Sequence, residues 1–348
     1  AASRLSLQNW QDQNVTTAFV DEAHLDDLAG LANGALHLWE MPADAAACLI
    51  NLSENATFLV EAGSGYRRIL RVHRAGYNSQ IAIESELAWM AALHKDAAID
   101  TPLPVAGRNG ALVQQFGTPQ IVPRHMVMFK WLAGAEPDPD DDLVVPFYQL
   151  GQLAARTHLH SAGWTRPQPF ERLVWNDDTI FGPTPIWGDW RDGPGVGPAE
   201  QAVLERAEKV LRQRLATYGR DRERYGLIHA DMRLANLLIE DGLTQLIDFD
   251  DCGSGWFMYD FAAAISFMED HPQIPTLRAA WLEGYQCFRS LTTVDVAEMD
   301  SFILMRRMAL LAWAGTHAHT KQASDVAPHF ATGSAGLAEA YLTQINAG

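Results

Sequence analysis

The sequence predicts an α+β fold of two unequal lobes: a small antiparallel sheet with one long helix, then a larger and mostly helical part. Three observations carry this. Short apolar runs separated by turn residues fill the first third, helical periodicity dominates after about residue 143, and a stretch rich in Gly, Pro and Asp, Trp131–Asp142, divides the two. With 348 residues and 48% hydrophobic content, the chain can build two lobes with sizeable cores but not a string of modules. The expected division is a lobe over residues 1–130, a hinge over 131–142 and a second lobe over 143–348.

The elements follow in order. Residues 15–45 are Ala-rich and read as helical. Ala46–Ile50, Thr57–Glu61 and Arg68–Arg74 are apolar runs separated by Asn51–Asn55 and Gly63–Gly65, the pattern of an antiparallel meander. Gly76–Ser79 breaks that pattern, and Asn78 or Ser79 suits the cap of a helix over about residues 80–94. Leu112–Phe116 and Met126–Phe129 add two strands. Past the hinge, Val144, Phe147, Tyr148, Gly151, Ala154 and Ala155 recur at helical spacing, giving a helix that ends near Ser161. Residues 163–198 hold Trp164, Trp175, Trp187 and Trp190 and read as an irregular excursion whose aromatics pack together. Residues 199–218 and most of the chain from Leu277 onward are helical.

Composition removes several function classes. Net charge is −17, with 43 acidic against 26 basic residues and no basic stripe, which argues against nucleic acid and anionic membranes as partners. The longest apolar stretches, Phe261–Met268 and Met308–Ala314, are far short of a membrane span. The first residues lack the basic-then-apolar pattern of a signal peptide. Cys48, Cys252 and Cys287 are odd in number and scattered, so neither a disulfide framework nor a zinc spacing is present, and a cytoplasmic location is expected. Nothing in the sequence sets the oligomeric state.

Chemistry concentrates in Leu227–Asp251. Asp241-Gly242 between two apolar runs is a strong hairpin signal. Folding back at Gly242 places Asn236 and Asp248 at the same open end, with His229 and Asp231 in the loop leading in. A carboxylate, an amide oxygen and a second carboxylate thus gather at one place. That donor set suits magnesium, a hard ion that keeps part of its shell for water and phosphate oxygens. Phosphoryl transfer needs such ions and a carboxylate that orients or deprotonates the attacking hydroxyl. A lone His-x-Asp fits a buried hairpin with polar caps equally well; the full His-x-Asp-x-x-x-x-Asn with apolar-Asp-Phe after a hairpin favours function.

His229-Ala-Asp231-Met-Arg-Leu-Ala-Asn236 with Ile247-Asp248-Phe249 resembles the aminoglycoside phosphotransferase and choline kinase superfamily, from about Ala46 to Phe267. The nearest branches are homoserine kinase type II and the bacterial stress-response kinases. The resemblance implies a protein-kinase-like fold, ATP and Mg2+ as cofactors, and a small-molecule hydroxyl acceptor such as an amino acid, amino alcohol or aminoglycoside. It implies Asp231 as catalytic base within the His229–Asp231 motif, Asn236 and Asp248 as metal ligands, and Asp260 as a structural aspartate. Ser53 and Asn55 lie in the loop that relatives close over the nucleotide phosphates. Arg71 stands where relatives carry the phosphate-binding lysine, oriented by Glu86 with Glu84 as the second choice. Ile69 would face adenine, and Phe129–Leu132 would offer it backbone groups. Arginine keeps the charge, but its planar fork is not equivalent to an ammonium group.

Asp250 and Asp251 read either as helix caps or as a second metal contact or partner of a substrate ammonium group. His158 and His160, like His317 and His319, are spaced i,i+2 in helices and point apart, as solvated or core histidines do. Asp138–Asp142 reads as a solvated helix start that could also attract an amine, and Arg306 and Arg307 read as structural or as partners of a substrate carboxylate. Two other functions stay open. A protein Ser/Thr kinase has to fit an activation loop into the eleven residues between Asp248 and Asp260. A nucleotide-binding pseudoenzyme would account for Arg71.

Overall fold

A computed structural model describes residues 22–53, 55–119, 121–318 and 320–347. Helix α1 (Glu22–Ala35) is followed by a 3-10 turn (Leu36–Leu38), so the helix expected through residue 45 stops a turn or more early. The cause is local. Asn33 donates to the Ala47 carbonyl (3.0 Å) and accepts from the Ala47 N–H (2.9 Å), tying the helix end to the first strand, while the Trp39 indole N–H reaches Val105 O (3.1 Å). Residues 15–21 of that expected helix lie outside the described residues.

Six antiparallel strands follow in the spatial order β1 (Ala46–Leu52), β2 (Ala56–Glu61), β3 (Arg67–Val72), β6 (Arg124–Lys130) and β4 (Pro104–Val105), with β5 (Val113–Phe116) also paired to β6. β4 was not expected; two residues, one a proline, carry no alternating pattern to read. Between β3 and β4 runs α2 (Gln80–Ala97), started by the Ser79 hydroxyl, which accepts from the Ala82 N–H. The sheet buries both faces. Phe58, Val60, Leu70, Val72, Met126 and Met128 pack on α1 and Trp39. Ile69, Val127 and Phe129 face α2 and the main core, which continues through Phe147, Leu150 and Phe249. The larger core therefore joins the parts of the chain before and after residues 131–142, with Trp89 of α2 edge-on to Phe249 (6.0 Å).

The rest of the chain comprises α3 (Val144–Gly163), β7 (Leu173–Trp175), α4 (Asp177–Phe181), α5 (Pro198–Tyr218), β8 (Tyr225–Ile228), the hairpin β9 (Leu237–Glu240) and β10 (Leu243–Leu246), β11 (Gly253–Trp256), α6 (Tyr259–Ala264), α7 (Ile274–Gln286), α8 (Thr293–Thr316) and α9 (Lys321–Ala347). The excursion is more ordered than its composition implies: β7 pairs parallel to β11, which pairs antiparallel to β8, and Asn176 caps α4. No helix among the described residues is long and apolar enough to cross a membrane.

Helices α3 and α7 meet backbone to backbone at two glycines. A Cβ at Gly284 would lie 1.9 Å from the Tyr148 carbonyl oxygen, and one at Gly151 would lie 2.1 Å from that of Trp281. Neither helix backbone can yield as a side chain can. Gly284→Ala is therefore expected to destabilise the protein by about 3 kcal/mol, at or beyond the usual overpacking cost, as read by urea unfolding; a loss under about 0.5 kcal/mol would mean that the helices separate freely.

Candidate active site

The loop after β8 is held from behind. Ala230 adopts the left-handed region (φ 67°), uncommon for a residue with a Cβ. The buried Asp260 of α6 stabilises it, accepting from the N–H groups of His229 (3.1 Å) and Ala230 (2.7 Å). A third donor to Asp260 is Nε2 of His158 (2.9 Å), whose Nδ1 bonds the Tyr285 hydroxyl (3.0 Å). Burial holds the His158 imidazole below its ordinary pKa despite Asp260, consistent with a neutral ring that donates at one nitrogen and accepts at the other. His158 is thus a core histidine, as its helical spacing implies, but one that supports the loop through Asp260.

His229 needs correction as a chemical group. Its Nε2 donates to Ile247 O (3.1 Å), its Nδ1 accepts from the Asp231 N–H (3.2 Å), and the ring is fully buried against Phe249. Both nitrogens serve the backbone, so His229 positions the loop.

Asp231 emerges from that frame with three side-chain donors. Arg306 reaches Oδ1 (2.5 Å), while Arg233 (3.2 Å) and the Asn236 amide (2.6 Å) reach Oδ2. Burial pushes the carboxyl up, but Arg233 and Arg306 outweigh it and hold it below the usual carboxylate range. Asp231 is therefore a buried anion that accepts from Arg306, Arg233 and Asn236.

The hairpin turns as expected at Asp241-Gly242, both with positive φ (50° and 77°). Its register pairs Leu237 with Leu246, and Ile247 N–H donates to Asn236 O (2.9 Å), so Asp248 sits one residue past the position facing Asn236. Asn236 uses its amide nitrogen on Asp231, which leaves the amide oxygen as the donor type a hard cation takes. The Asp248 side chain is 42% exposed, also with a left-handed backbone (φ 60°), and burial of its surroundings pushes the carboxyl up against the opposing charge of Arg71. No group of three or more His, Cys, Asp or Glu side chains among the described residues forms a metal cage. Two protein oxygens fit an ion that completes its shell from phosphate and water, so the residues present suit magnesium.

Arg71 lies on the sheet face that looks toward α2, because Leu70 and Val72 take the opposite face against α1. It pairs with Glu86 (2.6 Å) and Asp248 (3.1 Å), and its guanidinium lies over the Phe129 ring (5.1 Å). Ile69 shares that face, opposite Phe129 in the register. Glu84 points to solvent and bonds Gln80, which removes it as the orienting glutamate. In the β1–β2 loop the Ser53 N–H donates to Asn55 O (3.0 Å), and the Asn55 side chain is engaged by Asp250 and by the Arg74 N–H (3.3 Å), so these groups latch the loop. Lys130 N–H within the expected adenine-facing segment is taken by Leu103 O (2.8 Å).

Asp250 and Asp251 cap no helix, since the chain runs from them into β11. Their backbone carbonyls accept from Arg172 and from the Trp175 indole (2.7 Å), respectively. Asp142 does serve the start of α3, accepting from the Val144 N–H (3.1 Å). Arg306 is the residue the sequence undervalued. It bonds Ser266 (3.0 Å), Ala230 O (3.2 Å) and Asp231, under the Trp187 ring (5.0 Å). The excursion's Trp175 and Trp187, 4.9 Å apart, thus pack behind the arginine that holds Asp231. Arg307 pairs with Glu269 (2.5 Å) and Ser334 (2.9 Å), and His317 stacks on Trp313 (5.0 Å). His319 lies outside the described residues.

The chain is similar to known proteins in sequence and in fold. The family model described as "Phosphotransferase enzyme family" (APH) matches residues 49–298. Amicoumacin kinase of Bacillus subtilis (strain 168) is 22% identical over 239 residues, 68% of each chain. The solved structure of a microcompartment-associated aminopropanol kinase is 44% identical, with a TM-score of 0.84 over 90% of this chain and 98% of that one. An amicoumacin kinase in complex with AMP-PNP, Ca2+ and Ami shares the fold at 20% identity, with a TM-score of 0.70 over 91% and 94% of the two chains.

Proposed function

The chain belongs to the phosphotransferase enzyme family and is a kinase with a small-molecule hydroxyl acceptor; from that premise we propose that it moves the γ-phosphate of ATP to the hydroxyl of an amino alcohol. The observation that carries the chemistry is Asp231, an anionic carboxylate held by Arg306, Arg233 and Asn236. Asp231 accepts the hydrogen bond of the attacking hydroxyl and orients it. Arg71, kept in place by Glu86, supplies positive charge toward the phosphates. Asn236 and Asp248 are the residues that would hold magnesium, which when bound offsets phosphate charge. The lobes reach this arrangement without a long segment between Asp248 and Asp260, which argues against a peptide platform.

An amino alcohol is favoured over the amino acid of the homoserine kinase type II branch. Similarity at 44% identity to an aminopropanol kinase supports it. So does the state of Arg306 and Arg307: both guanidiniums are committed to protein groups and cannot meet a substrate carboxylate without losing them. ADP release measured with Mg2+ and ATP across amino alcohols, amino acids including homoserine, and aminoglycosides tests this. Amino alcohols are expected to give the highest kcat/KM, by about tenfold or more over amino acids. Preference for an amino acid would reverse the substrate assignment, and nucleotide binding without transfer to any acceptor would make the chain a pseudoenzyme.

A further inference from the structure

Arg172 lies in the Trp-rich excursion, yet it spans the two elements that carry the nucleotide-site charges. Its guanidinium donates to three backbone carbonyls: Cys252 from Nε (2.7 Å), Ala82 from Nη1 (3.0 Å) and Asp250 from Nη2. Ala82 is in the first turn of α2, and Asp250 and Cys252 form the turn just after Asp248. The preceding residue grips the same helix. The Glu171 N–H donates to Ser85 Oγ (3.0 Å), and its carboxylate accepts from Ser79 Oγ (3.0 Å) at the helix cap.

These contacts run parallel to the charged ones. Glu86, next to Ser85 and fully buried, bonds Arg71, and Arg71 bonds Asp248. Asp250 in turn takes the Asn55 amide of the β1–β2 loop. A slide or rotation of α2 would carry Glu86 away from Asp248, and the only covalent tie between them is a long stretch of chain. Arg172 bridges that gap directly, and Glu171 adds two hydrogen bonds on the α2 side. An arginine fork suits the task because its donors are rigidly spaced and can fix several carbonyls at once. The carbonyls and the nearby carboxylates of Glu86, Asp250 and Asp251 offset the burial of its charge.

We propose that Arg172, assisted by Glu171, is a positioning residue for the nucleotide site: it clasps α2 to the Asp250–Cys252 turn and so sets the Arg71–Glu86–Asp248 spacing that ATP binding uses. The proposal rests on the kinase reading, and the test separates the two. Calorimetric titration with Mg2+ and AMP-PNP is made on the parent, Arg172→Met, Arg172→Lys and Ser85→Ala. Arg172→Met is expected to weaken binding about 10- to 100-fold, as for loss of charge-assisted hydrogen bonds. Arg172→Lys should recover part of that, and Ser85→Ala should cost roughly threefold by losing one neutral bond. In steady-state assays KM for ATP should rise in step, while KM for the acceptor stays within about twofold, since Arg172 bonds Ala82, Asp250 and Cys252 and none of the groups around Asp231. Hydrogen exchange at the amides of residues 82–87 should speed up in Arg172→Met with no nucleotide present. Parental exchange in α2, or parental AMP-PNP affinity in all the variants, would overturn the clasp. A parent that does not bind AMP-PNP overturns the kinase reading, and the α2 exchange rates still decide the clasp. If Arg172→Met does not fold, affinity and α2 exchange in Arg172→Lys and Ser85→Ala decide between the same two outcomes.

Discussion

Asp231→Asn is expected to lower kcat by a factor on the order of 10² or more while AMP-PNP affinity stays near that of the parent, because a group beside the acceptor hydroxyl acts on the transition state and not on the nucleotide. The geometry sharpens the expectation. Both carboxylate oxygens accept hydrogen bonds, Oδ1 from Arg306 and Oδ2 from Arg233 and Asn236. An amide presents a donor on one side, so either orientation sets an N–H against a guanidinium or against the Asn236 amide. Loss of the negative charge also leaves two cationic groups facing each other. The variant should therefore lose some stability, about 1–3 kcal/mol for an uncompensated buried polar group. The ratio of kcat loss to binding loss separates the two effects. Turnover within about threefold of the parent, in a folded variant, would remove Asp231 from the reaction.

Arg71→Ala has the second largest expected effect, and it has two parts. Removing the cation should weaken nucleotide binding by about 1.5–3 kcal/mol, the scale of a charge-assisted contact, with Arg71→Lys losing roughly half of that. It also strands Glu86, which is fully buried and whose bonded partner is Arg71 at 2.6 Å. Breaking one side of a buried pair costs about 3–5 kcal/mol, more than the contact itself contributes. The parts separate in a double variant. Arg71→Ala with Glu86→Gln removes the stranded charge, so urea unfolding should show recovery of stability while AMP-PNP binding stays weak. If Arg71→Ala alone binds AMP-PNP as the parent does, Arg71 serves only to neutralise Glu86 and Asp248.

The chemistry-bearing segment was legible because its geometry is local. His229, Asp231, Asn236 and Asp248 lie within one loop and one hairpin, and the hairpin is dictated by Asp241-Gly242, whose positive φ values glycine and aspartate tolerate. The sheet and α2 were readable for similar reasons: short apolar runs separated by turn residues, and Ser79 as a side-chain cap. Even the face that Arg71 occupies follows from alternation once the burial of Leu70 and Val72 is known. Alternation left open which helix covers them, and α1 does so instead of α2.

Tertiary structure alone decided which distant partners the buried polar side chains take. Arg306 reaches Asp231 across 75 residues, His158 reaches Asp260 across 102, and Arg172 reaches Asp250 across 78. No period or turn signal links such pairs, because the hydrogen bond between them depends on how whole helices pack. The same limit explains His229 and Asn55. Their residue types fit a phosphotransferase site, but the direction of a hydrogen bond is set by which donors and acceptors the fold brings within about 3 Å. Here the fold turned both toward protein groups. The sequence by itself therefore indicated the class of chemistry and the loop proposed to carry it, since both are read from residues close together in the chain. Which residues support that loop was decided only when distant helices met, because a buried charge or polar group must find its partner wherever packing supplies one.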